Sequence, residues 1–240
     1  MDHQESAGFF ISHEGVPQYN IPNYLSNIAL PWASTLTDLY NNPVTFPASL
    51  SPSQGEFIKS IVANIAPDTI VEIGCFVGVS TLWIAAALEQ IGSNAILHSI
   101  DLFNCIQKNP PYSYAELSNP MQFVQNNLEK AYLSHRVRLH KDNSACFIKK
   151  IMQFIPGGKI DFLFIDGDHS RDGCSHDFNL FQESVSNGGY IMFHDIYPEC
   201  CTWDGPRHVL DNYIKNSDKF EMIEIPTTPF NYGIALVRKI

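Results

Sequence analysis

The sequence predicts an α/β fold: a mostly parallel sheet with helices on both faces, closed by an antiparallel strand pair at the carboxyl end. Three observations carry this expectation. Thr69 to Thr81 reads Thr-Ile-Val-Glu-Ile-Gly-Cys-Phe-Val-Gly-Val-Ser-Thr, an apolar β-branched strand, a glycine turn and the start of an Ala- and Leu-rich helix. Apolar runs at 95–100, 137–140, 160–165 and 190–193 follow, with helical patterns between them. The last two runs, 220–225 and 232–238, are separated only by a stretch with Pro226, Pro229 and Asn231, and a connection that short joins strands antiparallel.

From the start of the chain, residues 1–22 are interrupted by Gly8, Gly15, Pro17 and Pro22 and read as an arm. Tyr24–Tyr40 reads as a helix that Pro31 breaks or kinks. After a proline-rich loop, Ser53 with Glu56 three residues on reads as a capping box for a helix over 54–65. Gly74 and Gly78 bracket the turn before the helix at 79–88, and the expected reason for glycine is that a Cβ would block a ligand lying on the backbone. Residues 102–118 form a long polar connection, the kind that shapes a binding face. Helices are expected at 120–133, from Ser144, at 177–185 and from Gly205 to about 216, with a loop at 197–205 that carries Cys200, Cys201 and Trp203. Gly188-Gly189 is expected to lead into the strand at 190–193.

Composition sets the outer limits. The 240 residues suit one sizeable domain over 53–240 preceded by a helical N-terminal extension over 1–52. Phe9, Phe10, Tyr19, Tyr24, Trp32, Tyr40 and Phe46 make that extension aromatic. Packing against the main domain is the first reading, and a lid or a dimer contact in a homo-oligomer is the second. A net charge of −10 argues against nucleic acid and against an anionic membrane surface as partners. No apolar run approaches the roughly 18 residues of a membrane span. Met1-Asp2-His3-Gln4-Glu5 does not look like a signal peptide, and the six cysteines contain no Cys-x-x-Cys pair. A reduced, cytoplasmic protein is the expectation.

The chemistry gathers at strand ends. The turn is Gly-x-x-x-Gly, neither the dinucleotide fingerprint nor a phosphate loop with its lysine. Asp101 ends the second strand, where an acid can bond a ribose hydroxyl of a nicotinamide or another nucleoside cofactor. Lys159 to Asp172 reads Lys-Ile-Asp-Phe-Leu-Phe-Ile-Asp-Gly-Asp-His-Ser-Arg-Asp and sets Asp166, Asp168 and His169 at the end of a buried strand. The strand at 190–193 ends in His194-Asp195. Were these two strands neighbours, Asp166 and Asp195 could converge on one divalent cation.

Glu72 before the wide glycine turn resembles motif I of the class I S-adenosylmethionine (SAM)-dependent methyltransferases. Ile-Asp-Gly-Asp-His-Ser followed by Gly-Gly-Tyr-Ile-Met-Phe-His-Asp resembles methyltransferase family 24, and is similar to the catechol, caffeoyl-CoA and macrolide-sugar O-methyltransferases. The resemblance covers about 53–240. It implies a Rossmann-like, seven-stranded class I methyltransferase fold and metal-assisted O-methylation of a small hydroxylated acceptor: a sugar, polyketide or other natural product, or a phenolic. It sets Glu72, Gly74, Phe76, Gly78, Ser80, Asp101, Ser144 and Asp166 against SAM, with Asp142 near the adenine. It makes Asp166, Asp195 and His194 the ligands of a divalent cation, Mg²⁺ in the catechol-type enzymes. His169 then occupies the position of the catalytic base beside Asp166. His194 departs from the Asp-Asn pair that those enzymes carry. The alternatives are a metal-independent N- or C-methyltransferase and a non-catalytic accessory module of the same fold.

Overall fold

The structure is a computed structural model that describes residues 9–12, 15–110, 113–227 and 232–240. The chain forms two compact units that interleave along the sequence: Met1–Ala66, Phe76–Ser93 and Phe103–Val137 in one, Pro67–Cys75, Asn94–Leu102 and Arg138–Ile240 in the other. This division runs differently from a boundary at residue 52.

The first unit is helical. Of the expected arm, Phe9–Ile11 (β1) and Pro17–Tyr19 (β2) pair as an antiparallel hairpin; residues 1–8, with Gly8, lie outside the described part. Asn23–Ser26 (α1) and Pro31–Tyr40 (α2) divide where Pro31 takes the first helical position, so the proline breaks the helix. Pro52–Ile65 (α3) begins two residues before the expected start. Ser51 caps it by accepting from Gln54 N–H, and Gln54 reaches back to Ser51 N–H at 2.9 Å. The capping box thus lies at Ser51 and Gln54 rather than Ser53 and Glu56, because Pro52 is suited to the first turn.

The helix of the glycine turn is Val79–Gln90 (α4), buried nearly all round, and it packs on α2 and α3. Trp83 at its centre donates to the Tyr40 hydroxyl at 2.9 Å and lies 5.8 Å from the Trp32 ring. Tyr19 donates to the Ser49 carbonyl at 2.6 Å and packs on Phe46. Tyr19, Trp32, Tyr40 and Phe46 are therefore core of this unit, with Phe10 and Tyr24 left exposed. The connection over 102–118 is tied by bridges between Ile106 and Leu117 and between Asn109 and Ser113.

The second unit is built on a seven-stranded sheet. Thr69–Ile73 (β3), Ile96–Asp101 (β4), Val137–Lys141 (β5), Ile160–Ile165 (β6), Val185–His194 (β7), Phe220–Ile225 (β8) and Ile234–Lys239 (β9) lie in the order β5-β4-β3-β6-β7-β9-β8. β3 is parallel to β4 and β6, and β6 to β7, while β9 runs antiparallel to both β7 and β8. Pro229 and Asn231 of the last connection lie outside the described residues. β7 has 10 residues where the strand was expected at 190–193, and it contains Gly188-Gly189, with a register shift where it meets Ile160 and Phe162.

Short helices follow the strands. Pro120–Lys130 (α5) belongs to the first unit; Ser144–Ile148 (α6), Ile151–Phe154 (α7), Arg171–Phe181 (α8), Pro198–Cys201 (α9) and Gly205–Val209 (α10) belong to the second. A π turn over Leu210–Ile214 ends the last helix before the expected 216. α8 starts six residues before the expected 177 because Ser170 caps it, accepting from Gly173 N–H at 3.1 Å. Its buried residues Cys174, Asp177, Phe178 and Phe181 follow the helical period, and α8 packs on α6 and α10. Cys174, Phe178 and Phe181 join Val71, Leu163, Ile165, Ile191, Phe193 and Val237 in the core of this unit.

Candidate active site

The parallel strands bring their carboxyl ends to one rim, where ligands of open α/β sheets bind. Cross-strand backbone bonds stitch that rim together. Gly74 N–H donates to Ile100 C=O at 3.0 Å, Asp166 N–H to Ile73 C=O at 2.9 Å, and Asp142 N–H to Asp101 C=O at 3.1 Å. Cys75 N–H donates to Asp101 Oδ2 at 2.9 Å, which fixes the orientation of that carboxylate. Gly74, Asp101, Asp142 and Asp166 thus belong to one frame.

Each expected cofactor residue has a definite place. Glu72 is fully buried in β3 and its Oε2 accepts from Ser99 on β4 at 2.5 Å. The glycine of Gly74 answers to backbone crowding: its φ is +94°, and a Cβ would stand 2.2 Å from the Asp166 carbonyl oxygen. Room for the neighbouring strand end thus requires glycine here, beside the expected room for a ligand. Ser144 opens α6, and its hydroxyl engages the buried Asp177 carboxyl, which burial pushes up. Asp142 pairs with Lys150 at 3.0 Å.

Phe76, Gly78 and Ser80 belong to the other compact unit. There Gly78 caps α4 at φ +85°, Phe76 stands at φ +51°, and Ser80 is buried in the first helical turn. A non-glycine residue such as Phe76 at positive φ is a strained position of the kind found in functional turns.

At the ends of β6 and β7 lies a compact ionic cluster. The register sets Ile165 opposite Phe193, so the next residues, Asp166 and His194, come level. His194 Nδ1 stands 3.1 Å from Asp166 Oδ1 and 3.0 Å from Asp195 Oδ1. His169 Nε2 reaches the same two carboxylates, 3.4 Å from Asp166 Oδ1 and 3.2 Å from Asp195 Oδ2. One ligand atom from each of the four residues falls within 4.8 Å of all the others. Asp168 is not among them: its Oδ1 accepts from Ser170 N–H at 2.8 Å and so supports the start of α8.

Charge compensation sets the protonation of the cluster. Burial alone would push both imidazoles down and both carboxyls up. The four opposed charges outweigh burial. His169 and His194 are each raised to about 10, and Asp166 and Asp195 are held below the ordinary carboxylate range. Without a cation, His169 therefore keeps its proton at neutral pH, and no lone pair is ready to accept another. Even so, His169 Nε2, His194 Nε2 and Asp195 Oδ1 are buried without an aligned hydrogen bond among the described residues. Asp195 itself is held at φ +56°. His194 presents Nδ1 to the carboxylates, so it is the unmet capacity of His169 Nε2 and Asp195 Oδ1 inside the cluster that fits a divalent cation.

The sequence placed His169 as a base beside Asp166; the return of 167–170 that also brings its ring to Asp195 is a loop path that strand patterns do not encode. Asp177 was missed, although its spacing from Cys174, Phe178 and Phe181 marks the buried face of α8.

Comparison with known proteins follows the same lines. A solved O-methyltransferase from Bacillus cereus, in complex with SAH, superposes with a TM-score of 0.66 at 18% identity, covering 90% of this chain and 96% of that one. The O-methyltransferase TomG of Streptomyces achromogenes, involved in tomaymycin synthesis and solved with SAM, gives 0.67 at 17% identity, covering 100% and 99%. These share the fold. A Dictyostelium discoideum protein named "Probable caffeoyl-CoA O-methyltransferase 3" is 24% identical over 144 residues, 60% of this chain and 50% of that protein. The chain spans between about a third and a half of the length of the curated relatives it matches. The profile of the methyltransferase-domain family matches residues 71–196, just over half of the chain, and the protein belongs to that family.

Proposed function

We propose that the protein is a SAM-dependent O-methyltransferase that acts, with a divalent cation, on a hydroxyl of a small molecule such as a sugar, polyketide or phenolic. One observation carries the reading: the stitched rim that holds Gly74 and Asp101 continues at Asp166 into the two-aspartate, two-histidine cluster. A nucleoside site and a cation site beside one another suit the transfer of a methyl group to an oriented oxygen.

In this reading Asp101, held by Cys75 N–H, takes the ribose hydroxyls of SAM, and the backbone around Gly74 takes its methionine end. Ser144 completes the cofactor residues of this unit. Asp166, Asp195 and His194 hold the cation, for which the family resemblance suggests Mg²⁺. When bound, the cation lowers the pKa of an acceptor hydroxyl and orients its oxygen. The acceptor oxygen forms its bond to the methyl carbon as the carbon–sulfur bond breaks; S-adenosylhomocysteine (SAH) leaves, and the hydroxyl proton goes to solvent water at the rim beside His169.

Calorimetric titration with SAM and SAH tests the cofactor. Micromolar binding that Asp101→Ala lowers at least roughly tenfold is expected, about 1.4 kcal/mol or more. A radiolabelled-methyl assay on catechols and sugar alcohols, with and without chelator, tests the reaction. Transfer indifferent to chelator would move the reading to metal-independent chemistry, and absence of SAH binding would sink it.

A further inference from the structure

The donor set does not match the ion that the resemblance suggests. Mg²⁺ is a hard ion that favours oxygen ligands in an octahedron and keeps several waters, whereas imidazole suits first-row transition ions. Two of the four converging donors here are imidazole nitrogens. We infer that residues Asp166, His169, His194 and Asp195 form a two-nitrogen, two-oxygen centre for a borderline first-row divalent ion, with His169 as its fourth ligand.

Spacing supports this. A four-coordinate ion with bonds of about 2.0–2.1 Å needs donors roughly 3.3 Å apart. Asp166 Oδ1 stands 3.1 Å from His194 Nδ1 and 3.4 Å from His169 Nε2, and Asp195 offers Oδ1 at 3.0 Å from His194 Nδ1 and Oδ2 at 3.2 Å from His169 Nε2. At these distances His169 Nε2 and Asp195 Oδ1 still lack an aligned hydrogen bond, although both are buried. Lone pairs directed at a shared centre produce that pattern for these two atoms, while His194 Nδ1 and Asp166 Oδ1 stand 3.1 Å apart, within hydrogen-bond reach of each other.

The supports behind the ligands point the same way. His194 lies in the β-ladder opposite Ile234. Asp195 follows at φ +56°, a conformation that costs energy in a non-glycine residue and turns the chain at that point. Its carbonyl oxygen lies 3.5 Å from Cys201 Sγ. His169 is anchored by its own carbonyl, which accepts from Gly205 N–H at 3.0 Å. Positions held from behind in this way are what orients metal ligands.

This inference rests on the proposed methyltransferase site but is tested apart from it. Chelator-stripped protein is titrated by calorimetry with Zn²⁺, Co²⁺ and Mg²⁺, and the visible absorption of bound Co²⁺ is recorded. One Co²⁺ or Zn²⁺ per chain is expected, bound at least roughly a hundredfold tighter than Mg²⁺. His169→Ala and His194→Gln are each expected to weaken Co²⁺ at least roughly tenfold and to alter its spectrum, with SAH binding retained. Should either variant misfold by circular dichroism, nitrogen hyperfine structure in the resonance spectrum of Cu²⁺ bound to the unaltered protein decides in its place. Mg²⁺ bound as tightly as Co²⁺, a Co²⁺ spectrum indifferent to both histidines, no nitrogen hyperfine structure, or no ion bound at all overturns the inference. Ion binding as expected with no SAH binding would instead sink the methyltransferase reading and leave the centre standing.

Discussion

Gly74 shows how crowding by a neighbouring strand can require glycine at one residue of the site. Its left-handed backbone lets the end of β3 pass against the Asp166 carbonyl, and any side chain there collides with main chain that has nowhere to move. Gly74→Ala combines a Cβ at 2.2 Å from that oxygen with a φ of +94°, so a loss of roughly 2–4 kcal/mol in urea-unfolding stability is expected. A loss below 1 kcal/mol would mean that the rim relaxes around the methyl group. At this scale much of the site was legible: Asp101, Asp166, His194 and Asp195 each stand where an apolar run ends, and parallel strands carry such residues to a common edge. Asp168 looked equivalent to Asp166 in the sequence. It differs because its carboxylate is taken by the Ser170 N–H, a contact set by the turn alone.

At the level of elements, two features can be tested separately from catalysis. The cap of α3 lies at Ser51, whose backbone and hydroxyl both exchange bonds with Gln54. Ser51→Ala is expected to cost about 1 kcal/mol and Ser53→Ala less than about 0.5 kcal/mol in chemical unfolding; the reverse order would restore the box expected at 53 and 56. The second feature joins β4 and β5. His98 Nδ1 lies 3.0 Å from His140 Nε2, with the rings stacked and Phe147 and Phe154 around them.

Burial first, then the charges of His140 and Arg138, lowers His98 to about 4; burial and Arg138 lower His140 against the opposing pull of Asp142. Because the unfolded chain takes up these protons near pH 6.5 and the folded one resists until about 4, the folded state is favoured in full above 6.5 and loses stability as pH falls through that window. A decline on the order of 2 kcal/mol is expected between pH 6.5 and 4. The raised His169 and His194 act with the opposite sign and above 6.5, so they do not confuse the measurement. His98→Phe should flatten the decline in thermal unfolding followed across pH. An unchanged slope would place the acid sensitivity elsewhere.

On the scale of the whole molecule, cofactor binding and stability are linked. A ligand that binds only the folded chain at a hundred times its Kd adds about 2.7 kcal/mol. Under the proposed function, the melting temperature therefore rises with SAH concentration in the unaltered protein and stays flat in Asp101→Ala. A rise of equal size in both would show that Asp101 does not hold the cofactor. Among the described residues no helix is long and apolar enough to cross a membrane.

The sequence by itself determined the strands, their sense and the acids at their ends, because a buried strand is a local apolar run and a short link between two runs leaves only the antiparallel pairing. β6 and β8 fall on the expected residues for that reason. It also determined that the glycine turn precedes a helix, since two glycines and an Ala- and Leu-rich stretch stand next to each other in the chain. The tertiary structure decided what depends on residues far apart. The register of β6 against β7 brought Asp166 level with His194, the loop after Asp166 turned His169 onto the same carboxylates, and the pairing of β4 with β5 brought two histidines together. Local pattern says which face a side chain takes; the partner it meets there depends on strand order and register, which are set by the packing of the whole sheet.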